Sequence, residues 1–120
     1  MTTDLKGVSL GDSSVLGWRV GPDSVEFAVD FSLWPGSRFY RDPRKGEWTC
    51  YRRGFLRFSA VTAVEGLKPQ AEVPFATDAS GEKDFGSIEA LEEQAGAVVV
   101  AGDFGTVTIR CSSWAIEIEE

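Results

Sequence analysis

Apolar and polar residues alternate through the first third of the chain. Leu16, Trp18 and Val20 hold one parity, and Val25, Phe27, Val29, Phe31 and Leu33 hold the other. A period of two sends successive side chains to opposite faces of an extended backbone, so both runs predict half-buried strands. Between them, Gly21-Pro22-Asp23-Ser24 sets φ with a proline and offers an aspartate that can bond back to the main chain. That is the chemistry of a short turn, and it predicts antiparallel pairing of the two strands. Glu26, Ala28, Asp30 and Ser32 fall on the other, wet face of the second strand.

After Trp34-Pro35-Gly36 the alternation stops, and residues 37–46 read as a long exposed loop carrying Arg38, Arg41, Arg44 and Lys45. Residues 47–64 are too many for one flat strand. Gly54, after Arg52-Arg53, predicts a bulge or bend that divides them, with Leu56, Phe58, Ala60 and Val64 on one parity beyond it. Lys68-Pro69 and Val73-Pro74 then open a second irregular stretch to about Lys83. Residues 85–94 admit two readings: a short helix capped by Ser87 with Ile88, Leu91 and Ala95 on one face, or a kinked strand. Ala97–Ala101 and Phe104–Cys111 read as strands joined through Gly102-Asp103. Val107, Ile109 and Cys111 share a face, whereas Trp114, Ile116 and Ile118 take the opposite numerical parity, so Ser112-Ser113 is either a bulge or a turn into a separate strand. Glu117, Glu119 and Glu120 make the end acidic and solvated.

Six to eight short antiparallel strands with at most one short helix predict an all-β domain, either a sandwich or a partly closed, curled sheet. At 120 residues, 42% hydrophobic and 26% charged, the chain reads as one β-rich domain over residues 1–120 that needs no metal or disulfide to hold its core. No apolar run approaches the roughly 20 residues of a membrane span. Met1-Thr2-Thr3-Asp4-Leu5-Lys6 carries neither a basic nor an apolar leader pattern, so a cytoplasmic location is expected.

The chain has no histidine, which removes imidazole as general base, proton shuttle or metal ligand. Two cysteines, Cys50 and Cys111, are too few for a thiolate metal site and read as small buried hydrophobes on strands. No catalytic residue, metal or cofactor is expected. An acid/base pair such as Asp12 and Asp30 is the only enzymatic scheme left, with nothing to fix its separation.

Charge is distributed unevenly. Residues 38–57 hold seven basic and two acidic side chains, a net of +5, and the remainder five basic and seventeen acidic, a net of −12 within an overall −7. Phe39, Tyr40, Trp48, Tyr51 and Phe55 are interleaved with those cations. The candidate partner-binding segment is therefore Arg38, Arg41, Arg44, Lys45, Trp48, Tyr51, Arg52 and Arg53. Guanidinium and aromatic planes together suit an acidic protein, an acidic ligand or single-stranded nucleic acid, although the overall negative charge disfavours nucleic acid. The bland alternative is that the aromatics fill the core while the arginines pair with carboxylates on an outer face. Glu82, Asp84, Glu89, Glu92 and Glu93 form a candidate acidic docking face, without the ligand spacing of a calcium loop.

Three stretches carry a family resemblance: Leu10-Gly11-Asp12-Ser13-Ser14-Val15-Leu16 leading into the hairpin, Leu56 to Gly66 followed by Leu67, and Gly102-Asp103-Phe104-Gly105 before a strand ending in Trp114-Ala115-Ile116-Glu117-Ile118. In these the chain resembles small bacterial β-rich proteins that include predicted immunity proteins of polymorphic toxin systems. The resemblance implies a non-enzymatic protein-binding module that covers a partner toxin, and an acidic domain suits a basic partner through charge steering. Two other readings stay open: a small-ligand-binding β-barrel, suggested by fourteen aromatic residues, and nucleic-acid binding through the basic aromatic loop. A protein partner is the leading expectation, with a homodimer through the loop between Trp34 and Trp48 as a further one.

Overall fold

Ten strands and one 3-10 turn make up the regular structure of the computed structural model, which describes residues 5–46, 49–77 and 81–119. The strands are β1 (Val8–Val20), β2 (Ser24–Leu33), β3 (Cys50–Ser59), β4 (Ala63–Glu65), β5 (Ala76–Thr77), β6 (Lys83–Asp84), β7 (Ile88–Gln94), β8 (Ala97–Gly102), β9 (Gly105–Arg110) and β10 (Ser113–Ile118), with the turn at Gln70–Glu72. One sheet runs β1-β2-β3-β10 and another β4-β9-β8-β7, with β5-β6 a separate hairpin. All pairings are antiparallel, and neither large sheet closes into a barrel. Among the described residues no helix is long and apolar enough to cross a membrane.

The two large sheets bury one shared core. Val25, Phe27, Val29 and Phe31 of β2, with Leu56 and Phe58 of β3, meet Val98 and Val100 of β8 and Val107 and Ile109 of β9. At its centre the Phe27 ring lies 5.2 Å from Phe104 and 6.2 Å from both Trp18 and Phe58, close enough for tilted and edge contacts between rings.

Two bulges explain positions that break the period of two. In β1, Val15 pairs with Val29 and Gly17 with Ala28, which leaves Leu16 as an extra residue. The insertion reverses parity, so Val15 and Trp18 both turn toward the core. Beyond that point Val20 is 54% exposed, contrary to the expected apolar face of Leu16, Trp18 and Val20. Further back, four residues, 10–13, stand where β2 offers Phe31 alone. The Ser13 hydroxyl bridges the irregularity, donating to Ser9 O at 2.6 Å and accepting from Ser32 N–H at 2.9 Å. Ser32 is thereby buried rather than wet. In β7, Ile88 pairs with Gly102 and Ala90 with Ala101, so Glu89 is the extra residue; residues 88–94 form a strand, and the bulge creates the i, i+3 spacing that a helix would also show.

Other expectations shift by small amounts. The hairpin between β8 and β9 closes on Asp103-Phe104, one residue later than Gly102-Asp103, because Gly102 pairs with Gly105 and Gly105 takes the positive φ of +117°. Ser112 N–H donates to Ser59 O at 3.2 Å as the chain leaves β9 and enters the other sheet, so the chain turns into a separate strand through Cys111-Ser112, with Ser113 already in β10, which faces the core from the opposite side. Gly54 neither bends nor bulges β3, which pairs with β2 without interruption from Cys50 to Ser59. The break comes at Ala60, whose φ is +52° and whose side chain is exposed.

Candidate functional site

The strands of the first sheet differ in length, and a cleft forms where one stops. β10 ends at Ile118 opposite Gly54, while β3 and β2 continue side by side to the pair Leu33 and Cys50. Along that edge of β3, the last main-chain contact among the described residues is Glu119 N–H to Arg53 O at 2.8 Å. Residues 34–46 return over the same end, opening with two tight turns, Ser37 N–H to Trp34 O at 2.9 Å and Tyr40 N–H to Ser37 O at 3.2 Å. Ser37 is buried, and Phe39 and Tyr40 pack against the core, so this part of the loop is anchored rather than fully exposed.

An open cleft of ≈ 560 Å³ results, with Arg41 and Arg44 from the loop, Tyr51, Arg52 and Arg53 from β3, and Asp30 and Glu119 completing its walls. Arg41 donates to Tyr51 O at 2.9 Å and Asp42 O at 3.2 Å; Arg52 donates to Phe39 O at 3.2 Å and Glu119 O at 2.7 Å. These main-chain carbonyls help to orient the two guanidinium planes. Arg53 pairs with Glu82 across the surface and stands opposite Asp30 in the ladder. The described lining thus carries four guanidiniums against two carboxylates.

Of the basic segment predicted from sequence, the cleft gathers Arg41, Arg44, Tyr51, Arg52 and Arg53. Arg38 stands apart, its guanidinium 5.0 Å from the Phe39 ring centre, Lys45 is exposed on the loop, and Trp48 lies outside the described residues, as do Glu47 and Glu120. Arg57 belongs to the outer face of the sheet, with Nη1 2.9 Å from Glu117 Oε2 and Nε 2.8 Å from Glu26 Oε2, the latter at an angle that makes an ion pair but not a hydrogen bond. Sequence reasoning missed Asp30 and Glu119 as cleft residues. Only the strand register could have signalled them, since Asp30 reaches Arg53 by cross-strand pairing and Glu119 by the end of a strand 66 residues further on.

The predicted acidic face does not act as a unit. Glu82 is engaged with Arg53, and Asp84 Oδ1 accepts Gly86 N–H at 2.8 Å in a local turn. Glu89 is the bulge residue of β7, and Glu92 is exposed on that edge strand. Glu93 takes the other side of β7 and accepts the Trp114 indole N–H at 2.7 Å, tying the second sheet to the first. A charged side chain on an edge strand also deters pairing with a foreign strand.

Cys50 is a buried apolar residue on β3, as expected, but Cys111 is half-buried and sits between β9 and β10; both are free thiols. Burial raises the Cys111 thiol above its ordinary value, partly offset by a main-chain hydrogen bond at Ser113. Among the described residues no group of three or more His, Cys, Asp or Glu side chains is placed to hold a metal ion. Compared with protein-family models, curated proteins and solved structures, the chain matches none.

Proposed function

We propose that this all-β domain is a non-enzymatic protein-binding module that takes an acidic element of its partner into the cleft between residues 41–44 and β3. The observation that carries the proposal is the convergence of Arg41, Arg44, Arg52 and Arg53 on one open cleft in a chain of net charge −7. Planar guanidiniums are suited to oxyanions through paired N–H bonds, and Arg41 and Arg52 are already held in place before a partner arrives. Preorganisation of this kind lowers the entropic cost of association. An immunity-type role, in which the bound partner is a toxin held inactive, is the narrower form of the same reading and draws on the family resemblance and on the lack of any imidazole for catalysis.

The test begins with a photo-crosslinker at Lys45, on the same loop as Arg41 and Arg44, used in cells that express the chain from its own gene. A specific protein partner crosslinked through an acidic segment is expected, and the purified pair should bind on the order of tenfold more weakly when Arg44 and Arg53 are both replaced by Ala. A partner that binds the double variant as tightly as the wild type, or no specific crosslink at all, would overturn the proposal. For the narrower form, co-expression should rescue cells from the partner's toxicity, and the double variant should not.

A further inference from the structure

The edges of the two large sheets are not equally protected. We infer that β10 pairs antiparallel with the β10 of a second copy of this chain, across a two-fold axis at Ile116, so that two four-stranded sheets join into one. Strand β10 lies at the end of its sheet and is bonded to β3 alone. The contact of Glu119 N–H with Arg53 O at 2.8 Å fixes the phase of that ladder, in which Ser113, Ala115 and Glu117 turn their main chain toward β3. The N–H and C=O groups of Trp114, Ile116 and Ile118 therefore point outward, and they meet no partner among the described residues.

The other edges are closed or guarded. On β1, Val15 N–H donates to Gly86 O and Val15 O accepts Phe85 N–H, each at 2.8 Å, and Trp18 N–H donates to Gln70 Oε1 at 2.7 Å. Glu89, Glu92 and Glu93 make β7 acidic, and β4 is only three residues long. The one charged side chain within β10, Glu117, is drawn back over β3, its Oε2 2.9 Å from Arg57 Nη1.

Strand β10 is also complementary to itself. Its outward groups belong to even-numbered residues, so a ladder closes only where these are set against one another. With the axis at Ile116, Ile116 meets the partner's Ile116 and Trp114 meets the partner's Ile118, the one symmetric register in which all of the outward residues are bonded. Ile116 is fully buried in the single chain, whereas Trp114 and Ile118 keep 9% and 8% accessibility, so the pairing covers the apolar surface that the edge leaves open. Ala115 falls opposite the partner's Glu117, while moving the axis to residue 117 would set the two glutamates face to face. A single pair of edge strands buries less than a permanent interface does, so the dimer is a reversible one with a dissociation constant on the order of 0.1 mM. It uses the outer edge of β10 and not the cleft beyond its end, and it stands or falls independently of a foreign partner.

Sedimentation equilibrium of the purified chain up to about 1 mM should show a reversible monomer–dimer equilibrium. Ala115→Glu sets a carboxylate against the partner's Glu117, twice by symmetry, and should weaken the dimer on the order of tenfold, whereas Ala115→Lys should tighten it. Within one chain residue 115 stands opposite Arg57, so the Glu variant gains a cross-strand partner and the Lys variant a repulsion. Fold stability then moves against association, and a poorly folded variant cannot imitate the expected pattern. Amide hydrogen exchange followed by NMR locates the contact. The Trp114, Ile116 and Ile118 amides should exchange about threefold more slowly at about 1 mM than at about 0.05 mM, with Ala115 and Glu117 protected at both. A chain that stays monomeric to about 1 mM overturns the inference. So does a dimer that Ala115→Glu leaves intact, or one in which those outward amides exchange alike at both concentrations.

Discussion

Replacing Gly54 by alanine separates two meanings of a glycine within a strand. A glycine that marks a bend tolerates alanine wherever φ is ordinary, and Gly54 is not among the glycines with positive φ. A glycine at a close approach does not. A Cβ built at position 54 would lie 2.0 Å from Glu117 O and 3.0 Å from Ile118 Cα, both main-chain atoms that cannot rotate aside. Relief to ordinary contact requires a movement of roughly 1 Å or more, which lifts the end of β10 from β3. Two ladder hydrogen bonds are then weakened, at about 1 kcal/mol each. Partial exposure of Ile118, now 8% accessible, adds about 1 kcal/mol. Alanine returns about 0.4–1 kcal/mol by restricting the unfolded chain, which leaves a net loss of about 2 kcal/mol. Urea unfolding followed by tryptophan fluorescence should show the midpoint lowered by about 1.5 M for a chain of this size. Gly11→Ala is the reference, because no atom lies within 4 Å of its Cβ, and it should be neutral or slightly stabilising. If Gly54→Ala behaves like Gly11→Ala, to within about 0.5 kcal/mol, the close-approach argument is wrong. Because Glu119 O orients Arg52, the same substitution should also weaken the proposed partner's binding at the cleft.

Trp114→Phe removes the indole donor to Glu93 and should cost about 2 kcal/mol, whereas Glu93→Gln keeps an acceptor and should cost less; equal losses in urea unfolding would count against that hydrogen bond. Arg57→Met should cost about 1 kcal/mol at low ionic strength, since its pairs with Glu26 and Glu117 are partly exposed, and the loss should shrink in 1 M salt; a salt-independent loss would point to packing instead. The folded state holds the Cys111 proton to higher pH than the unfolded state, so its contribution is fully present below the thiol's ordinary value of 9.0 and is lost as pH rises through the folded value. The stability difference between wild type and Cys111→Ala, measured by urea unfolding, should therefore be flat up to about that pH and change in favour of the variant above it; an unchanged difference in strongly alkaline solution would contradict the burial cause.

The strands were legible wherever one face alternates without interruption. β2 shows every odd position from Val25 to Leu33 buried, and β10 does the same with Trp114, Ile116 and Ile118. What misled the reading was the bulge, which turns a spacing of two into a spacing of three. Val15 and Trp18 in β1, and Ile88 and Leu91 in β7, sit on one face at i and i+3, the signature of a helix turn. No local property of Leu16 or Glu89 announces the extra residue; it is fixed by the partner strand, through the pairs Val15–Val29 and Gly17–Ala28 in one case and Ile88–Gly102 and Ala90–Ala101 in the other. Ser32 was misplaced for the same reason, since its burial depends on the Ser13 hydroxyl delivered by the irregular part of β1.

The cations of the candidate site were legible as residue types, but not the cleft that collects them. Strand alternation assigns Arg52 and Arg53 to opposite faces of β3, and only because β10 stops at Ile118 can both reach one opening around the bare edge. A mismatch in strand length is a property of the assembled sheet, absent from any local pattern. It also reconciles the proposed docking of an acidic element with a net charge of −7. Charges more than a Debye length apart, about 8–10 Å at physiological ionic strength, hardly sense one another through water, so the guanidiniums lining the cleft govern an acidic group inside it while the negative remainder of the chain governs its approach. Long-range repulsion and short-range attraction then respond to salt in opposite directions. Added salt screens the repulsion before it weakens the contact, and affinity at this cleft should fall less steeply with ionic strength than it would on a uniformly basic domain.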